Sequence, residues 1–271
     1  VKPPAFEYLA AASLDQAVAA LGEEDAKILA GGQSLVPLLN FRLLAPSLLV
    51  DITRIPGLDY IEERDGGLAI GALTRHHALE TSPLVQARFP VLHAAMAHVA
   101  HLAIRNRGTI GGSLCHGDPA AELPGLALLL DARLKTTRRT IAAADFFQGA
   151  LATALEADEI LTEIMLPAPA PGTGWGFEEF ARRSGDFALA AVGVTIGAEV
   201  RIVVIGAHET PLRLTGAEAL FTDPGDIEAV AAAAREEITP NSDLHASADY
   251  RRHLVQVLTR RALRAAWERR S

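Results

Sequence analysis

Two short stretches carry the residue types that could do chemistry: Ala30-Gly31-Gly32-Gln33-Ser34 and Thr109-Ile110-Gly111-Gly112-Ser113. Each places adjacent glycines behind an apolar residue and ahead of a serine hydroxyl. Glycine loses more freedom on folding than alanine does, at a cost of roughly 0.5–1 kcal/mol. The pairs are therefore either tight turns or clearance for something that approaches the backbone closely. Backbone N–H groups in such turns point outward as a cluster, and with hydroxyl donors they suit an anion. A diphosphate needs more than one such cluster. Two of them on separate units predict a dinucleotide held in a crevice. Neither stretch matches the G-x-G-x-x-G fingerprint or the G-x-x-x-x-G-K-S/T phosphate loop, so a nicotinamide-binding dehydrogenase fold or a conventional kinase has no support.

The other reactive side chains fit bland roles better. His76, His77, His93, His98, His101 and His116 have no acidic or cysteine ligand in a metal pattern, so surface or capping histidines are expected, and no metal site. His98 and His101 are expected three apart on one helix face. Cys115, between the second glycine pair and Asp118, has no resolving partner and reads as an inert thiol. Ser34 and Ser113 lack a base beside them and read as ligand-contacting hydroxyls.

These stretches must be positioned by regular elements. Phe6–Ala10 reads as a strand, Ser13 as the cap of a helix running to about Leu21, and Lys27–Ala30 as a buried strand ending in the Gly31-Gly32 turn. A helix over Ser34–Phe41 and a buried strand over Leu48–Ile52 complete a small α/β unit. Leu58–Glu62 and Leu68–Gly71 read as a hairpin. Thr74 and Ser82 are expected helix caps, the second helix continuing through Val91–Ala100. Residues 105–125 are glycine-rich and polar, and Leu126–Leu130 continues as helix. Strands are expected over 133–137, 140–141 and 160–166. Pro167–Gly174, PAPAPGTG, reads as a linker. Beyond it, strands over 176–181, 187–198 and 200–206 precede helices over 227–237 and 250–269.

Composition bounds the rest. With 49% hydrophobic residues and 21% charged, the chain can bury a large core, and its length suggests two or three modules. A net charge of −8 argues against nucleic acid and anionic membranes as partners. The final stretch YRRHLVQVLTRRALRAAWERR is basic, and reads as a solvated or domain-packing helix face. One cysteine cannot ligate an iron–sulfur cluster. No run approaches the ~20 apolar residues of a membrane span, and no secretory leader is expected. A cytoplasmic location is the expectation.

Three motifs occur in fixed order: KILAGGQSLVPLLNFRL, IRNRGTIGGSLCHGDPAAELP and GFEEFARRSGDFALAAVGV. Together they resemble the FAD-binding medium subunit of the molybdenum hydroxylases, the family of carbon monoxide and xanthine dehydrogenases. The resemblance spans essentially the whole chain. It implies an α+β fold: a two-part α/β FAD-binding domain, PCMH/vanillyl-alcohol-oxidase-like, then a small C-terminal domain with a three-stranded antiparallel sheet and helices. The implied divisions are 1–56, 57–168 and 175–271.

By resemblance, Lys27, Leu29, Ala30, Gly31, Gly32, Gln33, Ser34 and Leu35 wrap the FAD diphosphate. Thr109, Ile110, Gly111, Gly112 and Ser113 match the second phosphate loop, where members often carry asparagine in place of Ser113. Asp118 or Glu122 bonds the adenosine ribose, Glu122 being the better match. Leu161 packs near the flavin or adenine. Arg182, Arg183 and Asp186 match a motif close to the flavin edge, and no residue is implied to be catalytic in its own right. Some relatives have a lysine just before the paired arginines; here the stretch is Glu178-Glu179-Phe180, so those relatives' electron acceptor does not carry over. The resemblance further implies an electron-transfer subunit. A large subunit would carry molybdopterin and a small one two 2Fe–2S clusters, in a dimer of heterotrimers, with FAD here passing electrons to an external acceptor. The alternatives are a self-sufficient FAD oxidase or reductase and a non-redox nucleotide-binding module. Substrate and acceptor are not written on this chain.

Overall fold

The first fifty residues make a three-stranded parallel sheet in a computed structural model that describes residues 2–270. In chain order these are β1 (Glu7–Ala10), α1 (Leu14–Ala20), β2 (Lys27–Leu29), α2 (Leu35–Asn40) and β3 (Leu48–Asp51), with strand order β1-β3-β2. Val50 of β3 lies in register with Leu9 on one side and Ile28 on the other. Ser13 Oγ accepts the Gln16 N–H, and Gln16 Oε1 accepts the Ala12 N–H. A serine cap of this kind contributes about 1 kcal/mol. The expected buried strand at Lys27 is corrected: β2 is an edge strand, Lys27 is exposed and Ile28 and Leu29 are half-buried.

The second part holds β4 (Ile61–Arg64), β5 (Gly67–Gly71), α3 (His76–Thr81), α4 (Pro83–Arg88), α5 (Pro90–Met96), α6 (Leu102–Arg105), α7 (Ile110–His116) and α8 (Glu122–Leu129). It continues through β6 (Arg133–Thr136), β7 (Thr140–Ala142), α9 (Ala143–Phe146), β8 (Phe147–Gly149), β9 (Ala152–Thr153) and β10 (Leu161–Leu166). Five strands form an antiparallel sheet in the order β4-β5-β10-β6-β7. The β4–β5 hairpin turns at Asp65-Gly66, with φ of 51° and 76°, the pair of left-handed residues that matches strand twist.

Three expectations here are corrected. Thr74 is not a helix cap: its hydroxyl donates to the Tyr60 carbonyl and accepts the Tyr60 N–H, and α3 starts after Arg75. Ser82 does cap its helix, accepting the Val85 N–H, but that helix stops before Pro90. Proline has no N–H to continue the ladder, so α4 and α5 are separate. His98 and His101 consequently lie beyond the end of α5 rather than on one helix face.

The C-terminal part contains β11 (Gly174–Ala181), β12 (Ala188–Ile196), β13 (Val200–Ile205), β14 (Leu212–Arg213), α10 (Thr215–Glu218), α11 (Ile227–Glu237) and α12 (Ala248–Glu268). Its antiparallel sheet has four strands rather than three, because the two-residue β14 pairs with Val203 and Val204. One sheet face packs under α11 and α12, where Val192, Val194 and Ile202 meet Val230, Leu258 and Leu263. The opposite face closes the core of the second part, where Ala191, Val203 and Ile205 join Leu126, Leu129 and Ile164. The basic C-terminal helix is a packing element: Arg251 is buried and its Nη1 donates to the Gly206 carbonyl, while Arg260 and Arg264 pair with Glu228. No helix among the described residues is long and apolar enough to cross a membrane.

Candidate functional site

The Gly31-Gly32 turn lies directly beyond the C-terminal end of edge strand β2, and it abuts the segment leading into α7. A Cβ on Gly31 would collide with the Arg107 carbonyl oxygen and stand 2.8 Å from Gly108 Cα. Gly32 has φ +72°, a left-handed conformation that only glycine adopts without strain. A Cβ on Gly112 would meet Thr109 Oγ1 at 2.8 Å and Ala30 Cβ at 4.0 Å. The fold therefore brings the two glycine pairs together, from opposite sides of one junction.

Their donors differ, and this corrects the symmetrical reading from sequence. Gly111-Gly112 is the first turn of α7, not a free turn. The Ile110 N–H donates to Thr74 O, Gly111 N–H to Ala72 O, Gly112 N–H to Thr109 Oγ1 and Ser113 N–H to Thr109 O. All four amides are spent within the protein. By contrast, among the described residues the N–H groups of Gly31, Gly32, Gln33 and Ser34 reach no backbone acceptor. Gln33 Nε2 donates to Gly31 O at 2.9 Å, which fixes the turn. Ser34 occupies the cap position of α2 without making a side-chain cap bond, so its hydroxyl is also uncommitted. Orphan backbone donors of this kind are satisfied by a ligand or by solvent. The first loop has the donors, and the second supplies the wall and the Ser113 hydroxyl.

The wall is held by His76, expected from sequence to be a surface or capping histidine, and by Arg105, which the sequence did not single out. His76 is buried, not at the surface: its N–H donates to Gly108 O, and its Nε2 lies 2.9 Å from Thr109 O. Burial pushes its pKa down to about 4, so the neutral ring donates from Nε2. Arg105 clamps the preceding turn, reaching both oxygens of Glu80 and the carbonyls of Val99 and Ala100. A histidine next to a helix start and an arginine before N-R-G carried no pattern by which sequence could rank them. Cys115 is half-buried, and burial pushes its thiol up to about 12, which supports the reading of an inert thiol.

Past α7, Gly117 caps the helix in the left-handed region at φ +63°. Asp118 Oδ1 then accepts the Ala120 N–H, so that carboxylate is partly committed to its own turn. Glu122 is the first residue of α8 and is buried; burial pushes its pKa up to about 7, with the Asp118 charge adding to the rise. A buried carboxyl with no cation beside it is what a hydroxyl-bearing ligand could satisfy. Leu161 opens β10 opposite Thr136 and is buried in the core of the second part.

Arg182, Arg183 and Asp186 sit on the β11–β12 hairpin tip. The Asp186 N–H donates to Arg183 O, and Arg182 Nη1 lies 2.9 Å from His245 Nδ1. Gly185 seats this tip on the second part, where a Cβ would meet the His101 ring at 2.6 Å and Ala100 O at 2.9 Å. The two acids before the arginines separate by strand alternation. Phe180 points towards Tyr250 of α12, whereas Phe177 and Glu179 face the second part, beside His98. Glu179 is inward-facing, and burial together with the Glu122 charge pushes it up to about 8.

Known proteins match this chain along its length. Residues 4–169 fit the model of the FAD-binding domain in molybdopterin dehydrogenase, and residues 175–266 fit the C-terminal domain of the CO dehydrogenase flavoprotein. A relative from Paenarthrobacter nicotinovorans, the alpha subunit of the 6-hydroxypseudooxynicotine dehydrogenase complex, is 43% identical over 99% of this chain and 97% of its own length. The carbon monoxide dehydrogenase medium chain of Hydrogenophaga pseudoflava is 41% identical over 98% and 99%. In solved structures, a carbon monoxide dehydrogenase chain from that organism superposes with a TM-score of 0.96, covering 100% of both chains. A quinoline 2-oxidoreductase chain from Pseudomonas putida 86 gives 0.94 at 38% identity, covering 99% of each chain.

Proposed function

The chain belongs to the FAD-binding molybdopterin dehydrogenase family, and from that premise we propose how its residues hold the flavin. It is the FAD-binding medium subunit of a molybdenum-containing hydroxylase or dehydrogenase, an electron-transfer component of an oxidoreductase whose partners are a large molybdenum subunit and a small iron–sulfur subunit. Molybdopterin and the 2Fe–2S clusters belong to those partners. The working particle in this reading is a dimer of heterotrimers in the cytoplasm, and the chain divides into flavin-binding parts at 1–56 and 57–168 and a C-terminal domain at 175–271.

The observation that carries the site is the asymmetry of donors: free amides at Gly31–Ser34 against fully bonded amides at 110–113. In this reading the first loop donates to the diphosphate through Gly31, Gly32, Gln33 and Ser34, with Lys27, Leu29, Ala30 and Leu35 shaping its approach. Thr109, Ile110, Gly111 and Gly112 form a rigid floor, and Ser113 contributes its hydroxyl. Four amide donors form a concavity suited to the diphosphate anion. Glu122 accepts from a ribose hydroxyl, Asp118 being held by the Ala120 amide. Leu161 supplies apolar contact, and Arg182, Arg183 and Asp186 stand towards the flavin edge. Bound FAD accepts electrons singly and releases them in pairs, which is the chemistry the chain itself lacks. The protein's part is to bind and orient it and to exclude water.

The test is FAD titration of the purified chain, and of the same chain carrying Ser34→Ala or Glu122→Ala. One FAD per chain is expected, with affinity lowered about tenfold or more in each variant. Removing one hydrogen bond to a charged group costs about 1.5–3 kcal/mol. Unchanged affinity in both variants would overturn the residue assignment while leaving the family membership intact.

A further inference from the structure

Arg182 and Arg183 are both exposed on the β11–β12 tip, yet only one of them is fixed. Arg182 Nη1 lies 2.9 Å from Nδ1 of His245, a residue 63 positions further along the chain. Among the described residues the Arg182 guanidinium has no other partner, and that of Arg183 has none. A guanidinium carries donors alone, so Nδ1 accepts and the ring hydrogen of His245 sits on Nε2.

His245 is itself held from behind. It lies between α11 and α12 in a turn closed by Asp243, whose Oδ1 accepts the His245 N–H at 2.7 Å and the Ala246 N–H at 2.9 Å. Oδ2 of the same carboxylate accepts from Arg251 Nη2 at 2.7 Å. Arg251 is buried, and its Nη1 donates to the Leu189 and Gly206 carbonyls at 2.5 and 2.8 Å. A hydrogen-bonded run, Arg251 to Asp243 to His245 to Arg182, therefore ties the tip to the core of the C-terminal part. The far side of the tip rests on the segment that walls the first glycine loop. Gly185 lies against Ala100 O, Arg105 Nη1 donates to that carbonyl at 2.9 Å, and Arg107 and Gly108 just beyond abut Gly31.

We propose that His245 is a positioning residue: its Nδ1 holds the Arg182 guanidinium in one place at the flavin edge, where the charge favours reduced over oxidised flavin. This rests on the reading of Arg182 as a residue at that edge. An exposed arginine without an acceptor spreads its charge over many rotamers. One acceptor on an anchored turn removes that freedom, and a fixed cation stabilises the negative charge that flavin gains on reduction. Arg183, with no such acceptor, stays mobile and contributes less.

The experiment has two readouts on the full chain. Nitrogen-15 NMR of the histidine-labelled apoprotein should show the His245 hydrogen on Nε2; hydrogen on Nδ1 overturns the proposal. Dye equilibration of the FAD-loaded chain then gives the flavin midpoint potential for wild type, Arg182→Gln, His245→Ala, His245→Asn and the double variant Arg182→Gln with His245→Ala. Arg182→Gln should lower the preference for reduced flavin about threefold, ~14 mV for a two-electron couple, the size of one water-screened surface charge. His245→Ala should shift the potential the same way and add nothing once Arg182 is gone. His245→Asn, whose side-chain carbonyl accepts in place of Nδ1, should keep the wild-type value. A shift in Arg182→Gln with none in His245→Ala overturns the proposal. So does a His245→Ala effect that persists without Arg182, or one equalled by His245→Asn. Wild-type potential in Arg182→Gln overturns instead the flavin-edge reading on which it rests.

Discussion

Gly31→Ala tests the junction most sharply, because the structure specifies what the added methyl meets. The new Cβ would overlap the Arg107 carbonyl oxygen, 2.8 Å from Gly108 Cα and 3.0 Å from the Arg107 carbonyl carbon. Ordinary carbon–carbon contact is about 3.5–4.0 Å, so the loops must part by roughly 1 Å. Both obstructing groups are backbone: the Arg107 carbonyl accepts from Arg75 Nη1, the Gly108 carbonyl accepts the His76 N–H, and the Gly108 N–H donates to Ile104 O, so no flexible side chain can swing away. Overpacking of this kind costs typically 1–3 kcal/mol. Where FAD is gripped between the loops, that cost appears as lost affinity, about fivefold to 150-fold at 1.4 kcal/mol per decade. The assay is equilibrium FAD titration beside thermal unfolding of the apoprotein. Gly57→Ala is the control: Gly57 has φ +77° with nothing within 4 Å of a Cβ, so the variant suffers left-handed strain away from the junction. It should lose about 1 kcal/mol of stability and keep its FAD affinity. Wild-type affinity in Gly31→Ala, or an equal loss in both variants, would mean that FAD is not gripped at this junction.

Other perturbations follow from the same geometry. His76→Ala removes the ring donor to Thr109 O and leaves a cavity behind Gly108, so FAD affinity should fall about tenfold, and thermal unfolding should show 1–3 kcal/mol lost. Apoprotein stability should fall as pH rises from the ordinary carboxyl value of 4.5 to about 7 for Glu122 and about 8 for Glu179, because across that window the folded chain holds protons that the unfolded chain has released; pH-dependent unfolding of wild type against Glu179→Gln checks the sign. On the acid side, burial works to raise the Glu159 carboxyl, but the Arg139 and Thr136 hydrogen bonds hold it down at about 2. Its contribution is present above the unfolded value and lost as pH falls towards 2, and Arg139→Gln should shift acid unfolding to higher pH. Cys115 should resist thiol reagents at pH 8 in the native protein and react once the chain is unfolded.

Much of the fold was legible because periodicity and caps act locally. Ser13 and Ser82 announced their helices, and Asp65-Gly66 its hairpin. Errors arose where a tertiary partner outbid the local signal. Thr74 spends its hydroxyl on Tyr60 across the sheet, and the backbone of β14 finds β13 with only two residues. The glycine pairs looked alike in sequence, and their difference is a matter of hydrogen-bond partners. Gly111 gives its amide to Ala72 on another element, while the Gly31–Ser34 amides are left over. His76 and Glu179 were illegible for a similar reason: their burial is created by segments distant in the chain.

In the proposed site FAD lies on the free amides of the first glycine loop, walled by the second. Hydrogen exchange of the purified chain with and without FAD addresses it directly. Strong new protection is expected in peptides covering 28–36, with little change at 110–113, whose amides are already bonded. FAD bound with exchange at 28–36 unaltered, or protection gained only elsewhere, would contradict it.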